Sequence, residues 1–384
     1  MTGLTRRDML AGSAGVAAAG LARPVLAQGT TAGINAVART RGMRFGSCVA
    51  WSPAGADAGS FANPAYAALL TRDCGILVPE NEFKWQFLRP DAERFDFSRF
   101  DAMLSFAETH GLPMRGHTLL WHKTRFFPKW LNEHDFGPQP RREAERLLTE
   151  HITMVCRRYS GRIASYDVVN ETIDEETGDQ RSTSLSKAFG DADAMLDLAF
   201  HTARAAAPGV ELVYNDYMSW EPGNEAHRKG VLKLLEGFRK RGVPVDALGV
   251  QSHIGIHAEG SIAGFVAKQE KPWRAFLDEV VAMGYRLVIT EFDVNDKGLP
   301  RDIATRDQAV ADYAAAYLEI MFAYPQLRDV LAWGMCDKYS WLQSFTPRAD
   351  GAPLRPTPYD AQFRPKPLHA AIGRQFAAAP ARTN

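Results

Sequence analysis

Little in this 384-residue chain marks it as a binder of charged partners. Lysine plus arginine and aspartate plus glutamate number 45 each, so the formal net charge is zero. No basic stripe is present to track a phosphate backbone, which argues against nucleic acid and favours a neutral ligand. Cysteine is scarce: Cys48, Cys74, Cys156 and Cys336, without CxxC or zinc-type spacing. Each sits in an apolar run, so mostly free thiols acting as small buried hydrophobes are expected. Cys48 and Cys336, near the two ends of the strand order, are the pair most able to meet. No Ser/Gly/Pro linker and no charge block divides the chain, which favours one domain. No stretch after the first residues is long and apolar enough for a membrane anchor.

The N-terminus reads as an address, not as fold. Arg6-Arg7 precede a weakly apolar, Ala/Gly-rich run from Ala11 to Ala22, then Arg23 and Val25-Leu26-Ala27 ahead of Gln28. The paired arginines, the low hydrophobicity and the small-residue cleavage site predict a twin-arginine export signal over residues 1–27. The mature protein, residues 28–384 with its barrel core at about 40–375, is expected in the periplasm or secreted. A monomer is expected.

What the chain does contain is a repeating order of strands and helices. Strand-like runs occur at 44–49, 75–79, 112–116, 163–169, 210–214, 247–250, 286–290 and 330–333. Amphipathic helical stretches at 141–159, 192–207, 225–241, 273–283 and 306–324 lie between them. Eight strands alternating with helices predict an α/β fold, a single-domain (β/α)8 TIM barrel. A doubly wound open sheet is the alternative, but no Gly-rich loop follows the first strand, as that fold usually requires.

A barrel of this type carries its chemistry at the C-terminal ends of its strands. Two strand-like runs end in glutamate: Asp167-Val168-Val169-Asn170-Glu171 and Val288-Ile289-Thr290-Glu291-Phe292-Asp293. Either alone could be a solvated strand end. Paired carboxylates, however, are the minimal machinery for cleaving a glycosidic bond. Other ends agree: Glu80, Asn81, Lys84; His117, Trp121, His122; Asn215, Asp216; Gln251, Ser252, His253; Trp333, Asp337, Trp341. Tryptophans beside hydroxyl-reading groups suit a sugar, which has an apolar face and a polar rim. Four histidines fall near these ends, but His253 and His257 follow a strand instead of sharing a helix face, so no metal is expected, and no cofactor.

The segments Glu80–Trp85, Gly116–His122, Asp167–Glu171, Tyr214–Tyr217, Gln251–His253, Thr290–Asp293 and Trp333–Trp341, in this order, resemble the motifs of family 10 glycoside hydrolases, the endo-β-1,4-xylanases. The resemblance implies a retaining double displacement on xylan and xylo-oligosaccharides. Glu171 would be the general acid/base and Glu291 the nucleophile, with Asn170, His253 and Asp293 in support. Glu80, Asn81, Lys84, His117, Trp121 and Gln251 would hold sugars on the non-reducing side of the cut, walled by Trp333 and Trp341. A glucan or mannan hydrolase of the same barrel class, or a non-catalytic carbohydrate-binding barrel, are the alternatives. One departure stands out. The run Lys123–Trp130 after His122 is longer than the family pattern by about two residues and lacks its glutamine. Tyr166 stands where tryptophan is common, and Phe292 where leucine or methionine is.

Overall fold

The eight long strands close on themselves because every one of them has two parallel neighbours. The computed structural model describes residues 32–257 and 260–382; the expected export signal, residues 1–27, lies outside them. The described strands are β1 (Arg44–Val49), β2 (Ile76–Pro79), β3 (Met114–Trp121), β4 (Ile163–Asn170), β5 (Glu211–Asp216), β6 (Ala247–Val250), β7 (His253–Gly255), β8 (Arg286–Asn295) and β9 (Leu327–Ala332). Strands β1 to β6 pair in sequence, β1 also pairs with β9, β9 with β8, and β8 with β6. The result is a closed, all-parallel (β/α)8 barrel, as the alternation of strands and helices predicts. β7 is a short resumption of the sixth strand. It pairs only with the far end of β8, setting His253 opposite Asp293.

Two apolar layers hold this arrangement. Cys48, Ile76, Val78, Val213, Ala247, Val288 and Leu331 pack together inside the barrel. A larger cluster fills the space between the strands and the surrounding helices. Each fully buried Val, Leu or Ile contributes about 1.5–3 kcal/mol. Along a strand the side chains alternate between these layers. That alternation also sends charge into the barrel: Arg115 and His117 on β3 meet Asp167 on β4. Arg115 Nη2 donates to Asp167 Oδ1 (2.5 Å) and His117 Nδ1 contacts Asp167 Oδ2 at 2.9 Å. Arg115 and Asp167 are both inaccessible to water, so removing one partner should cost about 3–5 kcal/mol. Gly116 between Arg115 and His117 is required by space. A Cβ there would lie 2.5 Å from the Tyr166 ring.

Several strands outrun their sequence-based limits. β3 extends through Trp121 and β8 through Asn295, so His117, Trp121, Glu291 and Asp293 lie within strands. Polar side chains there line the mouth while their backbone stays in the ladder, which sequence pattern alone reads as a strand end. The helix expected at 273–283 begins much earlier, at Ile262, and carries Pro272 inside it. Ser261 caps it by accepting from Gly264 N. All four cysteines are buried and unpaired; Cys336 Sγ donates to Asp360 O. Among the described residues no helix is long and apolar enough to cross a membrane.

Candidate active site

A cleft of about 620 Å³ opens at the C-terminal ends of the strands. It is lined by Glu80, Asn81, Lys84, His117, Trp121, Asn170, Glu171, Gln251, His253, Glu291, Trp333 and Trp341. Of the residues to which the family resemblance gives a role, all but Asp293 line it; Asp293 stands behind the wall, as do His122, Asn215, Asp216, Ser252 and Asp337 among the other strand-end residues. Backbone pairing places the two glutamates. Glu171 N donates to Asn215 O and Glu291 N donates to Gln251 O, both at 2.9 Å. Each glutamate is thus held at the barrel tip by its neighbouring strand. Glu171 adopts φ +55° and Ser252 φ +62°, left-handed values uncommon outside glycine. The break at Ser252 separates Gln251, which reaches Glu171, from His253, which reaches Glu291.

Three amides join the two carboxyl groups. Thr290 Oγ1 donates to Asn215 Oδ1 at 2.7 Å. This turns the Asn215 NH₂ toward Glu291 Oε1 (2.8 Å) and Asn170 Oδ1 (2.9 Å). Gln251 Nε2 donates to Glu171 Oε1 at 3.0 Å and to Asn170 Oδ1 at 3.3 Å. With the Asn170 amide turned over, its oxygen would accept from Trp121 Nε1 at 3.2 Å. Its NH₂ would then donate to Asn215 O at 3.2 Å but lie against the NH₂ groups of Asn215 and Gln251, both of which its oxygen accepts from in the first setting. Asn215 therefore orders the site, a role its place in Tyr214–Tyr217 only hinted at.

The electrostatics differ between the glutamates. Burial pushes the Glu291 carboxyl up, but His117, the hydrogen bond and charge of His253, and Lys84 outweigh it and hold it at about 2. Burial opposes charge on His253, yet Asp293 and Glu291 lift it to about 10. Its ring contacts Asp293 Oδ1 at 3.0 Å and Glu291 Oε2 at 3.3 Å. Asp293 also accepts from Trp341 Nε1 at 2.8 Å, fixing that wall. Glu171 has a different set of partners: besides Gln251, Lys123 Nζ lies 3.4 Å from its Oε2. Nothing in the sequence pattern signals Lys123 beyond its place in the unusual loop.

Around the glutamates lies a surface suited to sugar rings. Lys84 Nζ donates to Asn81 Oδ1 (2.9 Å) and sits 4.5 Å from the centre of the Trp121 ring. Burial raises Glu80 to about 7 against the opposing pull of Lys84. His117 meets Trp333 edge-on, and the His253 ring lies tilted against Trp341 with centres 4.9 Å apart. The long loop folds as a short turn over Thr124–Phe126 that stacks Phe126 on Trp121, ring centres 3.5 Å apart. The unusual loop thus lays an aromatic ring on Trp121. Tyr217, Glu175, Glu221 and His257 also line the cleft; of these, the sequence pattern marked Tyr217 only as part of its motif and His257 only as a rim histidine, and it did not mark Glu175 or Glu221. Burial holds His122 at about 3, marking it as a neutral packing residue. Among the described residues no group of three metal-ligating side chains is gathered.

This is the arrangement of a carbohydrate-cleaving barrel, and residues 33–375 match glycosyl hydrolase family 10. The chain belongs to that family. It is 30% identical over 316 residues to endo-1,4-beta-xylanase 3 of Hypocrea jecorina, covering 82% of this chain and 79% of that one. Endo-1,4-beta-xylanase B of Thermotoga neapolitana is 28% identical over 312 residues, 80% of this chain and 82% of the relative. Among solved structures, xylanase 10B of Thermotoga petrophila in complex with xylobiose superposes with a TM-score of 0.79 at 26% identity. That match covers 92% of this chain and 99% of the other.

Proposed function

We propose that this family 10 glycoside hydrolase is an endo-β-1,4-xylanase acting by retaining double displacement. The observation that carries the reading is the amide-bridged pair Glu171 and Glu291 in a tryptophan-walled cleft. In the first step a Glu291 oxygen attacks the anomeric carbon. The glycosidic C–O bond breaks, and its electron pair takes the Glu171 proton as the leaving sugar departs. In the second, water attacks the same carbon and gives its proton to the Glu171 carboxylate. The bond to Glu291 breaks and its electrons return to that carboxylate. Asn170 is assigned to the 2-hydroxyl of the sugar beside Glu291, while His253 and Asp293 keep Glu291 ionised. Glu80, Asn81, Lys84, His117, Trp121 and Gln251 are assigned to the non-reducing side of the cut, with Trp333 and Trp341 as walls. The names of the relatives support xylan over glucan or mannan, and the presence of both glutamates opposes a purely binding role.

The same proposal extends to the whole chain. Residues 1–27 would direct export by the twin-arginine route, and residues 28–384 would work as a monomer in the periplasm or outside the cell. Reducing-sugar release from xylan and from carboxymethyl-cellulose tests the activity. Release from xylan alone is expected; equal release from both, or none from either, contradicts it.

A further inference from the structure

The loop that departs from the family pattern puts a cation where the reaction reverses its proton flow. Lys123 Nζ lies 3.4 Å from Glu171 Oε2, in a pair whose carboxylate is 10% exposed. The ammonium is also 5.1 Å from the centre of the Tyr217 ring and 6.0 Å from that of Phe126, positions at which an aromatic face attracts a cation. Tyr217 is itself anchored through its hydroxyl to Glu175 and Arg181. Lys123 is therefore guided from two sides toward one oxygen of Glu171, while Gln251 holds the other.

We propose that Lys123 is a positioning residue for the second half of the reaction, holding ionised Glu171 ready to receive the proton of the attacking water. The inference rests on the roles assigned to Glu171 and Glu291 above. In the first half Glu171 must deliver a proton, and a nearby ammonium gives that step no help. After the leaving sugar departs, Glu171 is a carboxylate and Glu291 a neutral ester. The Lys123 pair is then strongest and, with Gln251 on the other oxygen, fixes the orientation of the carboxylate, so that a remaining lone pair faces the water. The water proton moves to Glu171 as the water oxygen bonds to the anomeric carbon. Lys123 neither gains nor loses a proton.

The experiment compares wild type, Lys123→Met and Lys123→Arg on 2,4-dinitrophenyl β-xylobioside, whose good leaving group makes the second step limiting, and on xylotetraose. For Lys123→Met, kcat on the aryl substrate should fall on the order of tenfold, which corresponds to about 1.4 kcal/mol. KM should fall with it as the glycosyl-enzyme accumulates, leaving kcat/KM within about twofold of wild type, because that ratio reports only the first step. Azide, a nucleophile needing no general base, should restore kcat, and Lys123→Arg should retain it. A drop in kcat/KM equal to that in kcat, a lack of azide rescue, or an unchanged kcat in Lys123→Met each overturns the proposal. Wild type inert on both substrates would instead sink the xylanase reading.

Discussion

The rim at β8 and the rim at the end of β4 each present one glutamate to the same cleft, but they surround it differently. Glu291 is backed by His253, which Asp293 grips in turn, and accepts from Asn215; His117 and Lys84 also favour its ionised form. Glu171 accepts from the neutral amide of Gln251 and from Lys123 on a partly exposed loop. A nucleophile must be ionised whenever it is free to attack and must leave as a carboxylate, so it is held in a rigid setting that favours its charge. A group that must act as acid and then as base has a neutral amide that can stay with either form and a cation that favours only the second. The asymmetry of the two rims is thus the asymmetry of the two chemical tasks.

The largest expected effect separates the glutamates directly. Glu291→Ala should lose activity on every substrate, by about 10⁵-fold or more. Glu171→Ala should lose about 10²–10⁴-fold on xylotriose yet still form the glycosyl-enzyme from aryl xylosides, with azide speeding its turnover. Steady-state and burst kinetics on both substrates check this; identical behaviour of the two variants would erase the contrast. Next in size, Asn215→Ala removes the amide that ties Glu291 to Asn170. A loss of about 100-fold in kcat is expected, with xylotriose KM changing less. A loss confined to KM would mean that Asn215 only shapes the binding surface.

The smallest effect concerns Glu80, away from both rims. Because burial raises its carboxyl to about 7, it is protonated below that pH and ionised above it. The carboxylate is the better acceptor for a sugar hydroxyl, so xylotriose KM should fall by a few-fold as pH rises through about 7. Glu80→Gln should flatten that dependence. A KM profile with the same slope in the variant would assign the titration elsewhere.

Much of this contrast was legible in sequence, though unevenly. Glu171 and Glu291 stood out because a carboxylate ending an apolar β run conflicts with burial. The barrel followed from alternation and from the polar residues repeated at the strand ends. Strand lengths did not: β3 and β8 keep their ladders while carrying His117, Trp121, Glu291 and Asp293 into the mouth. Asn215 was visible only as a member of its motif, since its importance lies in contacts to residues 45 and 76 positions away. Lys123 had no signal beyond its place in the unusual loop. Its meeting with Glu171 depends on a loop turn that stacks Phe126 on Trp121, and no periodicity encodes that. Asp167 could have been found: a charge in mid-strand, alternating with apolar neighbours, points into the barrel and demands the partner that Arg115 supplies.

The division of labour between the two rims is tested most directly by trapping the covalent intermediate. The protein would be treated with a 2-deoxy-2-fluoro β-xylobioside bearing a dinitrophenolate leaving group, then digested and mapped by mass spectrometry. The account predicts one fluoro-xylobiosyl group, attached to the peptide carrying Glu291. A label on Glu171 or on any other residue would contradict it.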